Sequence, residues 1–96
     1  KEVGKFYYKK KNWDFAIKNL EKSIANKNSD VETNVFLLAS YEEKADFVKI
    51  QKWASDLIDI YPNQPEYYFF AGKSAFQLKN VKKANELLEI GLDYVV

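Results

Sequence analysis

Apolar side chains recur along this chain at steps of three and four residues, the spacing of one face of an α-helix. The clearest run contains Trp13, Ala16, Ile17, Leu20 and Ile24, and similar runs follow over 47–61 and 81–95. Further helical stretches precede these runs, at about 1–10, 31–44 and 65–79. No stretch alternates with period two for long enough to predict a strand. The pattern therefore predicts an all-α protein with six helices.

Polar residues and prolines predict where several of these helices begin and end. Asn12, Asp46 and Asn80 each precede an apolar run, and an Asn or Asp there can accept a hydrogen bond from an exposed backbone amide. Pro65 suits the first turn of a helix, whereas Pro62 ends the helix before it. Because the connections are short, we expect neighbouring helices to be antiparallel.

The whole pattern repeats at an interval of 34 residues. One shift superposes small, apolar and capping positions together: 4 with 38 and 72, 12 with 46 and 80, 16 with 50 and 84, and 20 with 54 and 88. The chain therefore reads as three copies of a helix pair. Repeat one covers 1–30 and lacks its opening residues, repeat two covers 31–64, and repeat three covers 65–96.

A helix pair of this length and pattern resembles the tetratricopeptide repeat (TPR). The resemblance rests on Gly4, Tyr7, Tyr8, Trp13, Ala16, Ile17 and Leu20 in the first copy, and on Gly72, Ala75, Phe76, Ala84 and Leu88 in the last. The middle copy departs from it at Leu38, Ile50 and Ala54. The resemblance implies a right-handed α-solenoid of antiparallel helix pairs, about three TPR units in a single domain over 1–96. We expect this domain to be a fragment of a longer protein.

For function, the resemblance implies a protein–protein interaction module. In the family, the first helices of the repeats line a concave groove that binds a peptide or a helix of another protein. The corresponding contact residues here are Lys5, Tyr8, Phe36, Phe69, Phe70, Lys73 and Phe76. Their aromatic side chains favour a ligand with an apolar or aromatic anchor, although each ring also suits packing between helices. Phe36, Glu66 and Phe70 replace polar or basic residues with which some members bind chaperone tails, which argues against that ligand.

The alternative function is a structural spacer within a longer repeat array. Such arrays usually need a polar terminal helix to cover the last apolar face, but this chain finishes with Leu92, Asp93, Tyr94, Val95 and Val96. We expect Leu92, Val95 and Val96 to pack on further repeats or on a second copy. The second case gives a homodimer through the exposed end helix.

Composition argues against catalysis. The 96 residues include no cysteine and no histidine, so disulfides, thiolate metal sites and the commonest general base are excluded. The three glycines stand alone and form no phosphate-binding loop. We therefore predict a non-enzyme that uses no metal and no cofactor.

Charge gives no reason to expect a nucleic-acid partner. All 15 basic residues are lysines, and 14 acidic residues leave a net charge of +1. The run Lys9–Lys11 lies beside aromatic residues, but it is typical of a solvated end of a helix. No apolar run approaches the ~20 residues that span a bilayer. Abundant Lys, Asn, Ile, Phe and Tyr are typical of an AT-rich bacterial genome, and no compartment is indicated.

Overall fold

A computed structural model describes residues 2–25 and 30–95 of the chain and contains six helices in these ranges. They are α1 (Glu2–Lys9), α2 (Trp13–Ala25), α3 (Val31–Glu43), α4 (Phe47–Ile60), α5 (Pro65–Gln77) and α6 (Val81–Asp93). No strand occurs in the described residues. The prediction of an all-α fold with six helices is confirmed. The boundaries at 30/31 and 64/65 between repeats stay predictions.

The helices form two compact units, residues 1–45 and 46–96. In the first unit, α2 packs against both α1 and α3, and α1 also contacts α3. In the second unit, α5 packs against both α4 and α6. Burial of apolar side chains is the main stabilising contribution in each unit. The buried apolar residues are Ala16, Leu20, Leu37, Leu38 and Tyr41 in the first, and Ile50, Ala54, Leu57, Tyr67, Tyr68, Ala71, Ala75 and Ala84 in the second.

The ends of the helices recur at the interval of 34 residues. Helices α2, α4 and α6 begin at 13, 47 and 81, and helices α1, α3 and α5 end at 9, 43 and 77. The predicted caps are confirmed. The side chains of Asn12, Asp46 and Asn80 accept hydrogen bonds from the amides three residues later, at 3.4, 3.2 and 3.4 Å. Asp30, which the sequence analysis did not identify, caps α3 through the amide of Thr33 at 2.7 Å.

Each turn before these three caps contains a residue with a left-handed backbone. Lys11, Ala45 and Lys79 have φ values of 60°, 55° and 70°. After α1 and α5, the amides of Asn12 and Asn80 donate to carbonyls five residues earlier, at 2.9 Å in both turns. This hydrogen bond closes the C-terminal end of a helix, and its left-handed residue is usually glycine. The expected helical stretches to 10, 44 and 79 therefore stop one or two residues earlier.

Two glycines allow the helices of a pair to approach closely. A Cβ atom on Gly4 would lie 2.6 Å from Cγ of Leu20, and a Cβ atom on Gly72 would lie 2.7 Å from Cγ of Leu88. Both distances are far inside van der Waals contact. The two contacts are separated by twice the 34-residue interval, so α1–α2 and α5–α6 pack through the same positions.

Candidate functional site

Three of the predicted contact residues come together in the first unit. The ring of Tyr8 packs edge-on against the ring of Phe36, with 4.7 Å between centroids, and against Trp13 at 5.2 Å. The ammonium group of Lys5 lies 5.9 Å from the centroid of Phe36. We call Lys5, Tyr8, Trp13 and Phe36 the Tyr8 cluster. All three rings are half-buried, so each keeps a surface that a ligand can contact.

The charge of Lys5 is balanced by acidic residues at the edge of this cluster. Its Nζ lies 3.2 Å from a carboxylate oxygen of Glu32 and 3.8 Å from one of Glu2. Desolvation lowers the pKa of Lys5, but the hydrogen bond to Glu32 and the charges of Glu32, Glu2 and Asp30 raise it above its ordinary value. Lys5 therefore stays charged, with its ammonium group near the ring of Phe36.

Two glutamates of α3 act on the hydroxyl of Tyr8. Burial raises the pKa of the Tyr8 hydroxyl, and the charges of Glu43 and Glu42 raise it further. Both glutamates lie in the last turn of α3, which contains no basic residue, and the C-terminal end of a helix is itself partly negative. Lys44, just beyond α3, forms an ion pair with Asp14. The carboxylates of Glu43 and Glu42 therefore lie close enough to the Tyr8 cluster to act on the Tyr8 hydroxyl.

The other predicted contact residues lie on α5, in the second unit. The Lys73 ammonium group lies 4.7 Å from the centroid of the Phe70 ring, a cation–π arrangement. Phe69 packs on α6, where a Cβ atom on Gly91 would lie 2.7 Å from its ring. Phe76 is 58% exposed. The structure therefore brings Phe70 and Lys73 together and uses one side of Phe69 for helix packing.

The predicted self-association residues lie at the end of α6. Leu92 is 62% exposed and Val95 is 56% exposed, while Val96 falls outside the described residues. Val81, at the start of the same helix, is also half exposed. Val81 and Leu92 lie on one face of α6, since steps of four, three and four residues relate 81, 85, 88 and 92, and Val95 follows the end of the helix.

Sequence reasoning assigned Trp13 to the apolar face of its helix. The resemblance also places Glu42 and Glu43 at groove positions, but they were not among the predicted contact residues. Their positions beside Tyr8 depend on how α1, α2 and α3 pack. Two adjacent acidic residues at the end of a helix were the available signal, because the helix dipole disfavours acidic side chains there.

Among residues 2–25 and 30–95, no three or more His, Cys, Asp or Glu side chains converge to hold a metal ion. None of the described helices combines the length and apolar character that crossing a membrane requires.

No protein-family model matches this chain, and no curated protein matches it. Its functional surfaces are therefore inferred from its own residues and their geometry.

Proposed function

We propose that this chain is a short TPR array that binds a peptide or a helix of another protein. The observation that carries the proposal is the Tyr8 cluster. Its rings are half exposed and are oriented by one another before any ligand arrives. Ordered aromatic side chains contribute strongly to protein interfaces because they bury a large area and lose little entropy on binding.

The repeat interpretation is supported by features that recur at 34 residues. They include the caps at 12, 46 and 80 and the left-handed residues at 11, 45 and 79. The close contacts Gly4–Leu20 and Gly72–Leu88 recur at twice that interval. Local turn geometry, capping and packing thus repeat together, as in an array of similar units.

The acidic surroundings of the cluster indicate the chemistry of the ligand. An apolar or aromatic anchor would contact Tyr8 and Phe36, while a lysine or arginine next to it would lie in the negative potential of Glu42 and Glu43. An arginine could also stack on the exposed face of Tyr8 or Trp13. We propose an apolar anchor flanked by basic residues as the recognised segment.

The test is a binding screen with synthetic ten-residue peptides. Each peptide has a central Phe, Leu or Trp, and the flanking residues are either Lys and Arg or Asp and Glu. We expect the basic set to bind, and Phe36→Ala to weaken that binding at least tenfold, the size of a typical hot-spot loss. Val48→Ala is the matched control, because Val48 is 67% exposed on α4 and lies in the other unit.

A charge reversal separates binding from folding. Glu43 is exposed, so Glu43→Lys should leave the thermal unfolding of the chain nearly unchanged while it shifts preference towards acidic flanks. Equal binding of both peptide sets, or equal binding by wild type and a folded Phe36→Ala variant, would contradict the proposal.

A second candidate function is the structural spacer that associates with further repeats or with another copy. The observation that favours it is the exposed apolar surface formed by Leu92 on α6 and Val95 just after it, each more than half accessible. Exposed apolar faces of this kind mark interaction surfaces when they are contiguous.

We also propose that the chain is not an enzyme. It has no histidine or cysteine to serve as base or nucleophile, and the Tyr8 cluster contains no acidic and basic pair arranged for proton transfer. Its residues are suited to contact and charge complementarity.

A further inference from the structure

One type of helix contact occurs twice within this chain. Helix α3 packs on α2, and helix α5 packs on α4. At the second contact, the side-chain amide of Gln51 donates hydrogen bonds to the carbonyl oxygen of Ala71 at 2.5 Å and to the hydroxyl oxygen of Ser74 at 2.6 Å. Ala71 and Ser74 therefore mark the face of α5 that lies on α4.

The positions equivalent to Ala71 and Ser74 are buried in α3 but exposed to solvent in α1. Ala71 and Ser74 are each 1% exposed, and the residues 34 positions earlier, Leu37 and Ser40, are fully buried. A further 34 positions earlier lie Val3 and Phe6 on α1, and each is 55% exposed. Helix α1 therefore leaves open the face that α3 and α5 bury.

Helix α6 leaves open the complementary face. Val81, Asn85 and Leu92 of α6 lie 34 positions after Phe47, Gln51 and Ile58 of α4. Phe47, Gln51 and Ile58 are half-buried on α4, whereas Val81, Asn85 and Leu92 are exposed on α6. Asn85, like Gln51, carries a side-chain amide that can donate to the backbone of a helix packed on it.

We propose that α1 of a second copy packs on α6, as α3 packs on α2 and α5 packs on α4. Val81, Asn85 and Leu92 of one copy would contact Val3 and Phe6 of the next. The contact is head-to-tail, so each added copy leaves one α1 face and one α6 face open. This inference rests on the second candidate function and is independent of peptide binding by the Tyr8 cluster.

A second copy is the favoured occupant because this chain already contains both halves of the contact. Helix α1 is equivalent to α3 and α5, the helices that cover α2 and α4. Burial of its exposed Val3 and Phe6 against Val81 and Leu92 removes apolar surface from water on both sides. The α6 face therefore matches α1 of another copy in position and in apolar character.

Two lysines at the edge of the proposed contact oppose the association. Their repulsion can be removed by substitution, which tests the proposal directly. At the α2–α3 contact, Asp14 pairs with Lys44. The equivalent residues in the proposed contact are Lys82 on α6 and Lys10, just after α1, of the next copy, which repel each other. Association of the wild-type chain is therefore weak at low salt and stronger when salt screens this repulsion.

The first experiment is sedimentation of the 96-residue chain over a concentration series, for wild type and Lys82→Asp. The substitution replaces the repulsion by a pair equivalent to Asp14–Lys44, and we expect association to strengthen by about threefold or more. Lys83→Asp is the matched control. It changes the net charge equally, but position 83 and its equivalents Phe15 and Lys49 are all exposed to solvent.

A mixing experiment tests the head-to-tail geometry. Val3→Glu blocks the α1 face and Leu92→Glu blocks the α6 face, and both positions are more than half exposed, so neither change should impair folding. In the Lys82→Asp background, we expect each variant alone to be a monomer and their equimolar mixture to form dimers that do not extend.

Two outcomes would overturn the proposal. A Val3→Glu variant that still dimerises shows that two α6 faces pair with each other. A Lys82→Asp chain that remains monomeric up to millimolar concentration shows that the α6 face takes some other occupant, such as a different helix. Neither outcome affects peptide binding, which can be measured separately on the monomeric Leu92→Glu variant.

Discussion

At the scale of single residues, the turns after α1, α3 and α5 use a strained backbone. Lys11, Ala45 and Lys79 adopt positive φ, a conformation that costs a residue with a Cβ atom about 1–2 kcal/mol. Each turn contains only three residues, and the next helix begins directly after its cap. Glycine would adopt this conformation without the steric cost.

We therefore expect Lys79→Gly to raise the free energy of unfolding by about 1 kcal/mol. Chemical denaturation at neutral pH measures this change. Lys52→Gly is the control, because Lys52 is exposed in the interior of α4, where glycine should cost about 1 kcal/mol. If both variants lose stability equally, the left-handed turn carries no strain.

At the scale of helices, the close approach of the two helices in a pair outweighs the low helix propensity of glycine. Glycine inside a helix costs about 1 kcal/mol relative to alanine. Gly4 and Gly72 nevertheless lie within α1 and α5, because Leu20 and Leu88 occupy the space that a Cβ atom would need. Packing between two helices therefore decides these positions.

Gly72→Ala should lower the free energy of unfolding by about 1–3 kcal/mol, the usual cost of overpacking, in spite of the gain in propensity. Leu88→Ala alone also destabilises, because it removes apolar contact. Since alanine at position 72 fits once Leu88 is truncated, the double variant should lose less than the two single losses added together. Additive losses in this cycle would show that the two residues do not compete for one space.

At the scale of the whole molecule, Lys5, Tyr8 and Tyr68 hold their protons more tightly in the folded chain. Interactions with Glu32 and other acids raise the pKa of Lys5 despite its desolvation. Burial raises the pKa of Tyr8 and of Tyr68, and for Tyr68 the charges of Tyr94 and Asp59 add to the effect. A raised folded-state pKa stabilises the fold below the unfolded pKa, and this stabilisation is lost as pH rises through the folded value.

The free energy of unfolding should therefore fall as pH rises above about 10, the ordinary pKa of tyrosine. Urea denaturation between pH 8 and 11.5 measures the slope. Tyr68→Phe removes the hydrogen bond to the carbonyl of Pro62 and so lowers stability at every pH, but it should also make the alkaline slope shallower. An unchanged slope would show that Tyr68 does not contribute to the pH dependence.

Local features of the fold were predictable, and features that depend on which faces meet were not. The caps at Asn12 and Asp46 followed from residue type and periodicity, because capping involves only neighbours in sequence. The ion pairs Lys5–Glu32 and Asp14–Lys44 join residues about 30 positions apart, and no local pattern indicated them. For the candidate site, the resemblance named Lys5, Tyr8 and Phe36, but the acidic surroundings of Tyr8 required the packing of α3 on α2.

The sequence by itself determined the number of helices, the caps of α2, α4 and α6 and the interval at which they recur, since period, propensity and capping act within a few residues along the chain. Tertiary structure decided the rest. It placed Trp13 against Tyr8, left complementary faces of α1 and α6 exposed, and set Phe69 against Gly91. Contacts between helices depend on the shape and charge of two surfaces at once. A local sequence pattern describes only one of these surfaces and does not indicate which surface packs against it.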